Sequence, residues 1–341
     1  MQCFQLVFGF ISIIWQTYAT AATGTTTSTS QPTTTVKPQS DSFSHGSSYL
    51  RVMSFNTWKG GRNVDNGTSK VLQQIIASNA DIICLQELTF DTYYYILSNI
   101  GLRWHTCIDY VEERVVVLSR HPVNRVFPGV YPAQPMAIGC RISVKINNET
   151  KPVNDPYQLY LCERAGILDD NSNPENKHMG RLPELLALLR HAHFWRHMVQ
   201  SAKGNSSIPL ILAGDFNTPS YLDWIDKAAS SHCGWTFSWP VSRLLADYSF
   251  KDSYREVNPD PVTHPGTTWS PIFKYQSAFQ GVYLPETQDR IDYIYYRGSS
   301  LRAKFSWVTT GTDLVRWYPD HKQNEWPSDH ASVITDFEFI D

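Results

Sequence analysis

The sequence lacks a run of lysine and arginine residues, and basic and acidic side chains are nearly balanced. It has 29 Lys and Arg against 32 Asp and Glu, so its formal net charge is −3. Because phosphate contacts dominate the affinity of proteins for duplex nucleic acid, this balance disfavours a protein that covers a broad DNA groove. The balance of charges is compatible with a small or single-stranded anionic substrate.

A hydrophobic run long enough to cross a bilayer is also lacking. The apolar run Leu6–Trp15 falls short of the roughly 20 residues that a spanning helix needs. Small residues at Ala19-Thr20-Ala21 follow it, although no positive charge precedes it. The pattern predicts a signal peptide over residues 1–22, and we expect no transmembrane helix in the mature chain.

Residues 23–48 have little apolar content. Ser and Thr occupy 15 of these 26 positions, and Pro32 and Pro38 interrupt them. Such a segment cannot bury enough surface to offset its ordering entropy, so we expect a disordered, O-glycosylated linker and a secreted, extracellular protein. The glycosylation triplets fit that compartment, and they begin at Asn66, Asn148 and Asn205.

Cysteine is scarce, and five of the six cysteines lie beyond the predicted signal peptide. An odd number leaves at least one thiol unpaired. Cys84, inside an apolar run, is our candidate for a buried free thiol, and the pairing of the others stays open.

From residue 49 to residue 341 strands and helices alternate, with neither an internal repeat nor a second linker, which predicts a single domain. Apolar residues make up 42% of the chain, enough for a sizeable core. Periodicity predicts a helix around Val71–Ile76 and another over Arg181–Gln200. It predicts strands over Leu50–Asn56, Asp81–Gln86, Val115–Ser119, Ala137–Ile146, Ile208–Ala213, Ile291–Tyr296 and Ala331–Phe339. This distribution predicts two sheets packed face to face and covered by helices.

Polar residues that suit metal or proton chemistry recur where these strands end or begin: Asn56, Glu87, Asp215 with Asn217, Asp292, and Asp329 with His330. Each alone has a plain alternative, such as a turn, a helix cap or a solvated pair. Together and in this order they predict one shared pocket, because strand ends aim side chains from a rigid scaffold.

Five blocks carry a family resemblance: RVMSFNTW (51–58), DIICLQEL (81–88), LILAGDFNTPS (210–220), DRIDYIY (289–295) and PSDHASVITDF (327–337). In this order they resemble the endonuclease/exonuclease/phosphatase superfamily, which includes deoxyribonuclease I, abasic-site endonucleases, neutral sphingomyelinases and inositol polyphosphate phosphatases. The resemblance covers the chain from about residue 50. It implies an α/β (α+β) fold of the deoxyribonuclease I type, a four-layered sandwich of two mainly antiparallel β-sheets flanked by helices.

The resemblance also implies roles for the residues at the strand ends. Glu87, with Asn56 and Asp329, would hold a divalent cation, Mg²⁺ first and Mn²⁺ or Ca²⁺ as alternatives. Asp215 would orient or deprotonate the attacking water, with Asn217 fixing its geometry. His330 would bind the scissile phosphate, with Asp292 orienting its imidazole.

Trp269 and Arg290 would bind substrate in this resemblance. Thr267–Trp269 resembles a cleft-lining segment and Asp252–Arg255 a sheet-supporting one, although core packing explains both equally well. The implied activity is that of a secreted, monomeric phosphoesterase that hydrolyses a phosphodiester of nucleic acid or a phospholipid head group by water attack. The segments Trp235–Trp239 and Trp269–Tyr275 suit either a membrane-facing rim or base stacking.

One family motif is missing, a strand ending in His, or in Tyr in the abasic-site enzymes, between Glu87 and Asp215. No His lies between His121 and His178, and Pro152 and Pro156 interrupt the expected central strand. Either a strand is absent from this sequence, or Tyr157, Tyr160 or His178 substitutes, or catalysis is lost. We favour the first, since motif and strand look shortened together. It predicts an impaired enzyme, and the alternative function is a catalytically silent extracellular binding protein.

Overall fold

Fourteen strands and five α-helices form the part of the chain that a computed structural model describes. The described residues are 49–101, 103–108, 115–130, 137–146, 149–160, 182–190, 194, 196, 208–232, 234–277 and 283–340. All of them belong to one unit, His45–Asp341. The predicted signal peptide and linker lie outside them. None of the described helices has the length and apolar content that crossing a membrane requires.

The strands follow one another along nearly the whole described chain. The first seven are β1 (Tyr49–Asn56), β2 (Ile82–Gln86), β3 (His105–Ile108), β4 (Val115–Ser119), β5 (Val123–Val130), β6 (Ala137–Ile146) and β7 (Glu149–Tyr160). The others are β8 (Leu210–Asp215), β9 (Lys251–Asp252), β10 (Tyr275–Ser277), β11 (Tyr283–Pro285), β12 (Asp292–Arg297), β13 (Leu301–Thr309) and β14 (Ser332–Phe339). The helices are α1 (Gly67–Ser78), α2 (Phe90–Asn99), α3 (Leu182–Arg190), α4 (Pro240–Asp247) and α5 (Ser253–Val257).

Two six-stranded sheets of similar design contain twelve of these strands. The first has the order β13-β14-β1-β2-β4-β3 and the second the order β5-β6-β7-β8-β12-β9, while β10 and β11 form a separate hairpin. Each large sheet has a single parallel pair, β1 with β2 and β7 with β8, and its other pairs are antiparallel. A parallel pair brings the carboxyl ends of two strands to one edge of the sheet.

Three apolar clusters define four layers. The central one joins the inner faces of both sheets, with Val52 and Ile82 from the first and Ile142 and Ile211 from the second. A second cluster packs α1 and α2 on the outer face of the first sheet. A third packs α3 and α4 on the outer face of the second sheet. The predicted four-layered sandwich is confirmed.

The predicted strands agree with observed strands to within two residues at each end, but β7 contradicts the expectation of a missing central strand. β7 lies between β6 and β8 and is twelve residues long. Its pairing with β8 shifts register between Asn154 and Pro156. A shift of this kind accommodates a residue without an N–H donor inside a sheet, so proline did not end the strand.

The helix and thiol predictions have mixed outcomes. α1 buries Val71, Leu72 and Ile75, whereas Ile76 is exposed. α3 confirms the beginning of the predicted second helix; most of its continuation lies outside the described residues.

Cys84 is buried and in no disulfide, as predicted, and burial raises the pKa of its thiol. Cys162 and Cys233 lie outside the described residues.

Candidate active site

Two neighbouring strands of the first sheet bring Asn56 and Glu87 together. β1 and β2 are parallel, and Asn56 pairs in register with Gln86, the residue before Glu87. The backbone of Glu87 has a positive φ of 50°. Such a conformation is costly for a residue with a side chain and often marks functional sites. Here it turns the chain sharply out of β2 at the edge of the sheet where β1 also ends.

In the second sheet, Asp215 and Asp292 face each other across an antiparallel pair. Asp215 ends β8, Asp292 begins β12, and the two are register partners. Asn217, also at positive φ, donates from its backbone N–H to Asp215 Oδ1 at 2.8 Å and from its side chain to Asp215 Oδ2 at 3.1 Å. The turn that was the plain alternative interpretation of this stretch thus exists, and its Asn217 holds the Asp215 carboxylate in place.

His330 connects the two carboxylates. Its Nδ1 lies 2.9 Å from Asp292 Oδ2, and its Nε2 lies 3.9 Å from Asp215 Oδ2. The Asn56 amide completes the contact between sheets, because its Nδ2 donates to Asp215 Oδ2 at 3.1 Å and to Glu87 Oε1 at 3.3 Å. Residues from five distant blocks therefore meet at one edge of the sandwich, as predicted.

Burial raises the pKa of two carboxyls of this site, Asp215 and Asp329. Burial raises the pKa of Asp215 to about 7, with the negative charge of Asp292 adding to the effect. Burial likewise raises the pKa of Asp329 to about 8, and the charge of Glu87 contributes. Burial alone would lower the pKa of His330, but the carboxylates of Asp292 and Asp215 outweigh it and raise that pKa well above its ordinary value.

A cation would suit the side of the pocket formed by Glu87 and Asp329. Asp329 Oδ1 is buried and has no hydrogen-bond partner among the described residues, and a hard divalent ion prefers carboxylate oxygens. Asp215, Asp292 and His330 also offer ligand atoms within 4.8 Å of one another. Since His330 Nδ1 and Asp292 already share a hydrogen bond, we interpret that triad as a proton-bearing group.

Asn56 supports this arrangement through its nitrogen. Its Oδ1 accepts a hydrogen bond from the Trp58 backbone N–H at 2.9 Å, so the amide presents Nδ2 to the carboxylates. In this orientation Asn56 positions Glu87 and Asp215, and the structure favours support over the direct binding of a cation.

These pKa shifts predict that the cation-free protein becomes less stable as the pH rises. A carboxyl whose pKa is raised on folding stabilises the fold fully below its unfolded pKa, and that contribution is lost as the pH passes through its folded pKa. We therefore expect the Tm in a chelator to fall between about pH 4 and pH 8, as Asp215 and Asp329 ionise. The Asp329→Asn variant should show a shallower fall, and an equal slope in both proteins would contradict the prediction. Divalent cation should raise the Tm more at pH 8 than at pH 5.

Trp269 lies at the site, whereas Arg290 does not face substrate. The ring of Trp269 is 4.8 Å from that of His330. The Arg290 guanidinium is buried, with Nη2 2.7 Å from Asp252 Oδ2 and 3.0 Å from Asp223 Oδ2. The predicted substrate-binding role of Arg290 is wrong, because two carboxylates from other segments already occupy its donors.

Both interpretations of Asp252–Arg255, the sheet-supporting segment that the resemblance implies and the alternative of core packing, agree with this network. Asp252 caps α5 by accepting hydrogen bonds from Tyr254 and Arg255 backbone N–H groups, and its side chain binds Arg290 in the interior.

Asn66, with which the first glycosylation triplet begins, is exposed at the start of α1. Asn148 and Asn205 lie outside the described residues.

Three residues that the sequence did not single out individually as site residues hold the site together. Ser328 accepts from the His330 backbone N–H at 3.0 Å and donates to the Asn56 carbonyl at 2.6 Å. Trp326 donates to the His330 carbonyl at 2.7 Å. Thr268 Oγ1 accepts from the Asp292 backbone N–H at 3.1 Å. Ser328 lies inside a recognised block, but its partner Asn56 is 272 residues away, and Thr268 is 24 residues from its partner Asp292.

The comparisons with known proteins agree with this geometry. The Endonuclease/Exonuclease/phosphatase family matches residues 53–330. An uncharacterized protein of Caenorhabditis elegans is 30% identical over 302 residues, 85% of this chain and 92% of that protein. Nocturnin of Mus musculus is 24% identical over 79% of this chain and 57% of its own length.

Solved structures share the fold at lower identity. The 3′ phosphatase NExo from Neisseria, bound to a product DNA hairpin, superposes with a TM-score of 0.54 at 22% identity, covering 85% of this chain and 99% of that one. The catalytic domain of human nocturnin, with a bound sulfate anion, has a TM-score of 0.52 at 19% identity, covering 86% and 95%. With most of its length matched and its strand-end residues gathered in one pocket, this chain belongs to the Endonuclease/Exonuclease/phosphatase family.

Proposed function

We propose that this protein is a secreted phosphoesterase that hydrolyses a phosphodiester by water attack and depends on a divalent cation, Mg²⁺ first. The observation that carries the proposal is the buried Asp292–His330–Asp215 arrangement, facing Glu87 and Asp329 across the Asn56 amide. Asp223 and Asp252 are neutralised by arginines, whereas the only ion-pair partner of Asp215 and Asp329 among the described residues is His330. A purely structural protein has no use for such carboxyls, because their desolvation costs stability.

Each group of the pocket has a role that its contacts support. His330, held by Asp292 through Nδ1, presents Nε2–H to a phosphoryl oxygen and keeps its proton because carboxylates surround it. Asp215 accepts three hydrogen bonds, from Asn56 and from the side chain and backbone of Asn217. These donors fix its carboxylate, which accepts the proton of the attacking water. Glu87 and Asp329 would hold the cation, and its chemistry is to neutralise charge on the phosphoryl oxygens.

The position of the missing family histidine belongs to Tyr160 in this proposal. Tyr160 ends β7 and pairs in register with Asp215, whereas Tyr157 pairs with Leu212, farther from the strand end. His178 lies outside the described residues. Because β7 is present, the proposal no longer needs a missing strand, and we expect an active enzyme.

The decisive experiment measures hydrolysis of bis-p-nitrophenyl phosphate by the purified protein with and without a chelator. We expect turnover that the chelator abolishes and that Mg²⁺, Mn²⁺ or Ca²⁺ restores to different degrees. Asp313→Asn, at an exposed position, is the control variant and should keep full activity. Tight cation binding without turnover of any phosphate ester would instead support the catalytically silent binding protein.

Secretion as a monomer is part of the proposal and has its own test. Secretion is supported by the apolar run at Leu6–Trp15, the Ser/Thr-rich residues 23–48 and the exposed Asn66. Expression in a eukaryotic cell should release a chain that begins near residue 23, loses mass on glycosidase treatment and elutes as a monomer. Retention of an unprocessed, unglycosylated chain inside the cell would count against secretion.

A further inference from the structure

Four aromatic rings pack together beside the candidate active site. We call Trp58, Phe273, Tyr318 and His321 the aromatic row. Neighbouring ring centroids are 5.8 Å apart for Trp58 and Phe273, 5.7 Å for Phe273 and Tyr318, and 5.4 Å for Tyr318 and His321. His321 also lies 5.4 Å from Trp58, so the row closes on itself. The last two pairs are tilted by only 35° and 25°, so their faces lie nearly parallel.

Two members of the aromatic row are tied to the pocket. Phe273 lies 5.9 Å from Trp269, whose ring contacts His330. Trp58 donates its backbone N–H to the side chain of Asn56. The row is therefore a continuous extension of the pocket that would bind the phosphate. It is accessible as well, since Tyr318 is 64% exposed and Phe273 and Trp58 are partly exposed.

The row is held in place before any ligand arrives. The Tyr318 backbone N–H donates to the Ile272 carbonyl at 3.1 Å, which joins the segments that carry Tyr318 and Phe273. Asn324 bonds both the N–H and the carbonyl of Arg316 at 2.9 Å. A rigid aromatic surface loses little conformational entropy on binding a flat ligand.

The charges around Tyr318 favour a nucleobase over a lipid tail. Arg316, Asp320 and Lys322 are exposed in the same segment, and inserting it into a bilayer would remove these charges from water at a high cost. Leu314 and Trp317 are also exposed there, so a phospholipid is the competing occupant. Cations beside a stacking surface suit a nucleic-acid backbone, whose phosphates they attract.

We infer that the aromatic row is the base-binding subsite of a nucleotide or single-stranded nucleic-acid substrate, a step that rests on the proposed phosphoesterase function. The base next to the scissile phosphate stacks on Phe273 and Tyr318 while that phosphate lies at His330. Stacking accepts any base, since every base has a π-face. The subsite therefore selects single strands with little preference for sequence.

The experiment compares two oligonucleotides that differ in one group. One is an ordinary single strand, and the other carries an abasic tetrahydrofuran residue beside the scissile phosphate, so both keep the phosphodiester. Base stacking predicts that kcat/KM for the ordinary strand exceeds that for the abasic strand by roughly five- to a hundredfold. Tyr318→Ala and Phe273→Ala should reduce this ratio towards one, because the ordinary strand loses the ring on which its base stacks.

Phe305→Ala is the matched control. Phe305 is also partly exposed and contacts another ring, that of Tyr49, but Tyr49 begins β1 at the end opposite Asn56. Its loss should leave the ratio unchanged, and thermal melts of all three variants check folding. Equal kcat/KM for the two strands would overturn the base subsite. So would a Tyr318→Ala variant that loses only hydrolysis of phospholipid vesicles. Absence of turnover on every substrate would instead refute the phosphoesterase itself.

Discussion

Replacing Asp215 with Asn is expected to lower kcat for phosphodiester hydrolysis by roughly 10²–10⁴-fold, the contribution of a well-placed general base. Asparagine keeps the size of the side chain but cannot accept a proton from water. Its contacts with Asn56 and Asn217 show that the carboxylate is held in one orientation, so the loss should appear in kcat more than in KM. Steady-state kinetics with bis-p-nitrophenyl phosphate measure it.

Stability separates this loss from misfolding. Burial raises the pKa of Asp215 to about 7, so its ionisation above that pH destabilises the cation-free protein, and Asp215→Asn removes that cost. The variant should melt at or above the wild-type temperature at pH 8 in a chelator. A kcat within tenfold of the wild type would refute the role of Asp215. A much lower Tm would instead indicate that hydrogen bonds lost at the amide dominate.

The second large effect concerns the interior ion pairs around Arg290. Removing one partner of a buried pair leaves an uncompensated charge, which costs about 3–5 kcal/mol. Arg290→Ala would leave Asp223 and Asp252 with one cation fewer, although Asp223 keeps Arg255 at 2.5 Å. We expect the free energy of unfolding to fall by about that amount, as measured by urea denaturation.

An exposed ion pair provides the matched control for Arg290. Arg302 bonds Glu338 on the surface of the first sheet, and its side chain is 53% exposed. Because solvent-exposed pairs contribute about 0–1 kcal/mol, Arg302→Ala should lower stability by less than 1 kcal/mol. A similar decrease in the free energy of unfolding of both variants would show that the buried ion pairs of Arg290 contribute no more stability than an exposed pair.

Local sequence patterns predicted the strands that carry the site, because the pattern of apolar residues that marks a strand lies within a few neighbouring positions. Alternation of apolar residues marks β1 and β14, a continuous apolar run marks β8, and each strand places the residues at its ends at an edge of the sheet. Asn56, Asp215 and His330 each lie within two residues of such a strand end, so their meeting followed from the sheets. The same reasoning failed for β7, because the cost of proline in a strand depends on the partner's register, which is not local.

Arg290 illustrates what local patterns cannot decide. An arginine inside a recognised block suits anion binding as well as an interior ion pair. Its partners Asp223 and Asp252 lie 67 and 38 residues away. Whether Arg290 meets solvent or these two carboxylates depends on the packing of α5 against β12, and no spacing in the sequence encodes that.

By itself, the sequence determined which kinds of side chain follow which strands, because period-two patterns and turn residues act over a few neighbours. The tertiary structure alone decided which carboxyls are buried together and which arginine forms ion pairs in the interior. It also decided that aromatic residues from three separate segments contact one another. Burial and long-range contact set the pKa of an acid and the accessibility of a ring, and both arise only when distant segments pack.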